Sequence, residues 1–221
     1  MKFYRIRNSI DSKIIGQKFP QVKGAKGAFN VNSPLYIGNI SFYFNRIEVT
    51  PVLPELILWN GSKITDLISS SFMGTSSGLI CSNKLKQILD KSAIQNAQFF
   101  AIILHHKDKV HHDYWFLHPA KTNNDLIDYN ESEIWEEKNL LKVRKRTFED
   151  AESFHTETKQ IKYPHSLSIG KYAVKDSLPD FFILTFIEGG VGFFVLENIK
   201  NEIERAGCSG IVFTESNERY P

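Results

Sequence analysis

The sequence predicts an α+β fold built from antiparallel or mixed sheets with two similar strand–helix–strand units. Three observations predict it. First, a pattern occurs twice: residues 78–92 and residues 192–206 each join a short apolar run to an amphipathic helix, and each then reaches a further apolar run, Gln98–Leu104 and Gly210–Thr214. Second, most other ordered segments are short, β-branched or aromatic, and punctuated by turn residues, which favours hairpins over a doubly wound sheet. Third, 42% hydrophobic and 24% charged residues are ordinary for a globular chain, and 17 Phe supply a large core, since each aromatic can bury ~150–250 Å².

Taken in order, Lys2–Ile6 alternates and reads as an opening strand. Residues 16–41 are rich in Gly, Pro, Asn and Ser and read as irregular, because these residues favour turns. Ser41–Val49 and Leu56–Trp59 read as strands, the second ending at the turn signal Asn60-Gly61. Ile64–Phe72 is open between helix and loop. In the first unit Leu79–Cys81 is extended, Ser82 is placed to cap, and Leu85, Ile88 and Leu89 make one apolar face of a helix over Asn83–Lys91. Gln98–Leu104 and Val110–Leu117 follow as strands joined through His105–Lys109.

Leu126–Tyr129 reads as a short strand, and Ile134–Thr147 is open between helix and strand. His155–Ser168 is polar, contains Pro164 and reads as a connection. Phe181–Ile187 and Val191–Val195 make a second hairpin across Gly189-Gly190. A helix over Glu197–Ala206 follows, with Gly207 as its left-handed stop, and Ile211–Phe213 is the last strand. Leu196 stands where the first unit has Ser82, and Glu202 where it has Ile88. The whole reads as one domain over residues 1–221, with residues 1–60 an irregular, strand-containing segment within it.

The net charge of +2 does not argue for nucleic acid or an acidic membrane as partner. The basic run Lys138–Arg146 follows Glu131, Glu133, Glu136 and Glu137 and reads as a solvated segment of mixed charge. Cys81 and Cys208 are too few for a disulfide framework and read as buried thiols. No apolar segment has the length of a signal peptide or a membrane span, so a cytoplasmic protein is expected.

Two clusters carry candidate chemistry. Five of seven histidines lie at 105, 106, 111, 112 and 118. Across a hairpin, His105, His112 and His118 are candidate ligands for a metal such as Zn²⁺, although neighbouring histidines on a strand point to opposite faces. Exposed histidines beside a lysine turn are the plainer reading. Asp125, Asp128, Glu131 and Glu133, followed by Trp135, form an acidic stretch with an aromatic anchor. It suits either a basic protein partner or simple turn capping and solvation. Gly189-Gly190-Val191-Gly192 lacks the Lys and Ser/Thr of a phosphate loop and reads as a hairpin turn.

The segments Ile64–Leu67, Leu79–Lys86, Phe99–Ile102, Tyr114–Leu117, Leu126–Asp128, Phe181–Leu184 and Ile199–Phe213 together resemble bacterial polymorphic-toxin immunity proteins. The resemblance is to a family first described as a domain of unknown function and exemplified by a myxobacterial immunity protein. It covers about residues 61–215. It implies a protein that binds and neutralises a cognate toxin, often encoded beside it, without catalysis and without a cofactor. A basic nuclease is one such toxin, and Asp125, Asp128, Glu131, Glu133 and Trp135 would then be the contact stretch. The alternatives are a metal-binding module or small metal-dependent enzyme using the histidine hairpin, or a regulatory scaffold.

Overall fold

A computed structural model describes residues 2–27, 30–40, 44–72, 77–93 and 95–216. Its strands are β1 (Phe3–Asn8), β2 (Val22–Lys26), β3 (Glu55–Leu58), β4 (Leu67–Ile68), β5 (Leu79–Ser82), β6 (Ala97–His106), β7 (Lys109–Pro119), β8 (Ile127–Lys138), β9 (Leu141–Arg146), β10 (His165–Val174), β11 (Phe181–Ile187), β12 (Gly190–Leu196) and β13 (Ile211–Glu215). Its helices are α1 (Ser12–Ile15), α2 (Ile37–Ile40), α3 (Asn83–Ala93), α4 (Ala151–Gln160) and α5 (Glu197–Arg205). The fold is α+β, mostly sheet with some helix.

The strands form two mixed sheets. One has seven strands in the order β13-β1-β12-β11-β10-β8-β9, the other six in the order β2-β3-β6-β7-β5-β4. Most neighbours are antiparallel, while β3–β6 and β10–β11 are parallel. In the smaller sheet β5 and β6 both run antiparallel to β7, which lies between them. In the larger sheet β12 and β13 stand in the same relation to β1.

Helices α3 and α5 link these strand pairs and share one core. Leu85, Ile88, Leu89 and Ala93 of α3 and Ile199 and Ile203 of α5 pack with Leu79 and Leu117 of the smaller sheet and Phe181, Ile183 and Val195 of the larger one. The apolar stripe of each helix is therefore buried against both sheets. Ser82 Oγ accepts from the Leu85 N–H at 3.3 Å, the expected cap. Leu196, without a side-chain acceptor, leaves the start of α5 uncapped by a side chain.

Asp66 ties the start of α3 to the segment that follows α5. Its carboxylate accepts from Ser82 Oγ at 2.7 Å and from the Ser209 N–H at 2.8 Å, with Lys84 Nζ at 3.2 Å. These donors hold its pKa below the ordinary carboxylate value in spite of burial. Gly210 lies beside this clip with φ +81, and a Cβ there would stand 2.4 Å from the Leu67 carbonyl oxygen. Only glycine fits that approach.

Several expectations are corrected. Within the expected strand Ser41–Val49, residues 41–43 lie outside the described residues, and 44–49 are irregular. Ile47 gives both its backbone N–H and its carbonyl to the Gln98 side chain, so it forms no ladder. Residues 16–41 include β2, and Ile64–Phe72, read as helix or loop, contains the short strand β4. The segment Ile134–Thr147 is the far part of β8 plus β9. His155–Ser168, expected as a connection, completes α4 and begins β10.

Candidate partner-binding surface

In the β8–β9 hairpin, Ile127, Tyr129 and Ile134 of β8 face a core with Phe148, Phe154, Leu167 and Phe182, with irregularities in the β8–β10 pairing between the first two and the third. Its turn, Asn139-Leu140, has φ 51 and 67. Two successive left-handed residues suit the right-handed twist of a hairpin. Leucine is costly there because its Cβ crowds the following carbonyl.

A carboxylate cluster holds β9 down. Glu136 is nearly buried. Its Oε2 accepts from Arg144 Nη2 at 2.6 Å and Arg146 Nη1 at 2.8 Å, and its Oε1 lies 2.8 Å from His165 Nδ1. Arg146 reaches on to Glu157 of α4 at 2.8 Å. The two guanidinium groups push the Glu136 pKa down to about 2. One acid thus joins β8, β9 and β10, and Arg146 extends the tie to α4.

Beside the hairpin lies a groove of about 1010 Å³. Residues of both outer strands of the larger sheet line it: Thr214 and Ser216 on the side of β13, Lys142 and Lys145 on β9. That sheet is therefore strongly curled. The groove carries both signs of charge, with Arg7, Lys145 and Lys171 set among Glu131, Glu133 and Glu188.

The predicted acidic stretch divides here. Glu131 is exposed on the groove wall. Glu133 accepts the Trp135 indole N–H at 2.8 Å, and Lys142 Nζ lies 5.4 Å from the Trp135 ring centre on the same side. Trp135 is half-buried by these neighbours, as an anchor packed against its own strand pair. Asp128 does local work: its carboxylate accepts from the backbone N–H groups of Asn130 and Glu131 at 3.1 and 3.3 Å, an Asx-type turn. Asp125 is exposed on the short 3₁₀ turn Asn124–Leu126, where its backbone oxygen accepts from Lys175 Nζ. The surface is mixed in charge, not acidic, because β9 lays its lysines across it.

The structure does not bring the three candidate metal ligands together. His118 stands opposite Gln98 and His105 opposite Val110. Seven positions along β6 at ~3.3 Å per residue place them roughly 23 Å apart. His118 is fully buried and its Nε2 donates to the Asn45 carbonyl at 2.8 Å. His105 pairs with Glu55 of β3, and His112 is exposed. Among the described residues no group of three or more His, Cys, Asp or Glu side chains is arranged to hold a metal. Cys81 is buried as expected, whereas Cys208 is only half-buried; burial raises the pKa of both thiols, that of Cys208 to about 11.

A second hollow of about 390 Å³ is lined in part by Asn45, His155, Thr185 and Phe186. Thr185 is engaged by Asn124, whose Oδ1 accepts its N–H at 2.9 Å. His155 stacks edge-on against Phe154 and Phe186, and burial lowers its pKa. Those two groups serve packing.

What sequence reasoning missed is apolar and exposed. Leu140 is 84% exposed, Leu141 71%, Val143 52% and Tyr163 92%. Asn139 N–H bonds to the Pro164 carbonyl at 3.1 Å, which sets Tyr163 close to the hairpin tip. The signal was present in the alternation Leu141-Lys142-Val143-Arg144-Lys145-Arg146, a period-two pattern read only as a charge run. Among the described residues no helix is long and apolar enough to cross a membrane. No protein-family model matches the chain, and no curated protein matches it in sequence.

Proposed function

We propose that this protein binds a partner protein and acts without chemistry of its own, as an immunity-type protein that neutralises a bacterial toxin. The observation that carries the reading is the cluster Leu140, Leu141, Val143 and Tyr163, left in solvent at one end of the larger sheet. Large apolar side chains left exposed near one strand end are a feature that marks interaction sites. Tyr163 is of a type that commonly anchors a protein interface, and the exposed Leu and Val beside the turn offer apolar area for a partner to cover. The resemblance to toxin-immunity proteins supplies the class of partner.

The mixed charge around the cluster, Glu131 and Glu133 beside Lys142 and Lys145, suits a toxin face carrying both signs rather than a uniformly basic one. A basic nuclease fits this reading only if it presents acidic groups to β9. The relation of β5–α3–β6 to β12–α5–β13 belongs to the same proposal: we take them as one motif used twice, forming the scaffold on which the hairpin is mounted.

The test is co-expression with the toxin encoded beside the gene. The protein is expected to restore growth and to co-purify with the toxin, and Leu141→Asp combined with Tyr163→Ser is expected to lose both while keeping its melting temperature. Full protection by that double variant would contradict the assigned surface. Growth arrest despite wild-type protein would contradict the function.

A further inference from the structure

We infer that the free edge of β9 receives an extended, acidic segment of the partner as an eighth strand of the seven-stranded sheet. This rests on the binding reading above and specifies how and with what chemistry the partner docks. Strand β9 is the last strand of its sheet and pairs with β8 alone. Its outer backbone N–H and C=O groups form a ready template for another strand. Among the described residues no loop bonds to that edge.

Charge decides the occupant. Strand β9 is Leu-Lys-Val-Arg-Lys-Arg and contains no acid. Arg144 and Arg146 are paired with Glu136 and Glu157, while among the described residues Lys142 and Lys145 form no ion pair with a carboxylate. A second copy of this chain pairing edge to edge would set cation against cation, and like charges directly opposite on paired strands are destabilising. Edge lysines are a common device against such self-pairing. A strand carrying Glu or Asp meets the same lysines with opposite charge. The exposed Leu141 and Val143, with Leu140 and Tyr163 at the turn end, offer apolar side chains for the partner to cover.

The template is rigid before binding. The Glu136 cluster pins the strand to β8, and Arg146 ties it to α4 through Glu157. Little ordering of β9 is then required on association, which favours affinity. Lys142 and Lys145 also line the adjoining groove, so side chains of the added strand on that face would enter it.

The experiment is residue-resolved amide exchange of the full chain with a short monomeric peptide alternating Glu and Val, and with its Lys-for-Glu counterpart, each titrated to millimolar concentration. The acidic peptide is expected to slow exchange of Leu141–Arg146 amides at least tenfold, and the basic peptide to leave them unchanged. The variant Lys142→Glu with Lys145→Glu is expected to reverse that preference while retaining its fold, since both residues are exposed. Equal protection by both peptides, protection only at β2, β4 or β13, or none at all would overturn the inference. If toxin capture depends on Leu141 and Tyr163 while the acidic peptide leaves β9 unprotected, strand addition fails and the binding function stands. If β9 is protected and wild-type protein captures no toxin, strand addition stands and the immunity reading fails.

Discussion

Leu140 holds a left-handed backbone at φ 67 and exposes nearly all of its side chain. A non-glycine residue there carries a strain of roughly 1–2 kcal/mol. Replacing it should therefore separate stability from binding. Leu140→Gly is expected to raise unfolding free energy by up to about 1 kcal/mol, as glycine relieves the strain, and to weaken partner binding by removing an apolar anchor. Denaturant melts and a binding titration on the same samples check both signs. Two histidines set an acid dependence, His118 fully buried and His155 half-buried. Burial lowers the pKa of both His118 and His155 below 6.5. A group with a depressed folded-state pKa contributes stability that is complete above its unfolded value and is lost as pH falls toward the folded one. The melting temperature should thus decline as pH drops below about 6.5, and His118→Gln should flatten that slope. Glu136 acts far lower: its contribution is complete above the unfolded value near 4.5 and fades as pH falls toward about 2.

At the scale of elements, what was legible depended on whether a periodic apolar signal existed. Helix α3 buries Leu85, Ile88, Leu89 and Ala93, and α5 buries Ile199 and Ile203, so spacing alone revealed both. Helix α4 buries only Phe154, too little for a period. Its start was instead encoded in the reciprocal Asp150–Ser153 cap. The β8–β9 hairpin was hidden by its turn, because Asn139-Leu140 lacks the glycine that marks such turns, and by bulges that break the alternation of β8 against β10. The candidate surface was half legible for the same reason. Glu131 and Glu133 line the groove and Trp135 packs against Glu133 and Lys142, but which groups stand beside them depends on strand order, which no local pattern encodes. Glu136→Gln tests the role of the cluster beneath β9: exchange in Leu141–Arg146 is expected to quicken, with α3 and α5 unchanged. Equal loosening everywhere would make Glu136 a general stability residue instead of a local pin.

For the whole molecule, the two sheets share one core through α3 and α5, with Leu79 and Leu117 on one side and Phe181 and Val195 on the other. Neither sheet can lose its partner without exposing these helices, so a single cooperative unfolding transition is expected. Ile203→Ala, which opens a cavity at this junction, should cost about 2–5 kcal/mol and move the near-ultraviolet signals of both sheets together. Two separated transitions would show that the sheets are independent. Under the proposed function the scaffold presents one edge: a pinned strand, exposed apolar residues at its turn, and Lys142 and Lys145, which among the described residues have no carboxylate partner. The most direct measurement of the proposed function is the affinity of the purified protein for a candidate toxin encoded beside its gene, compared between wild type and Leu141→Asp/Tyr163→Ser by calorimetry. Wild type is expected to bind tightly and the variant to lose at least a hundredfold in affinity, with a melting temperature within a degree or two of wild type. Equal affinity in the two proteins, or no binding by wild type, would contradict the proposal.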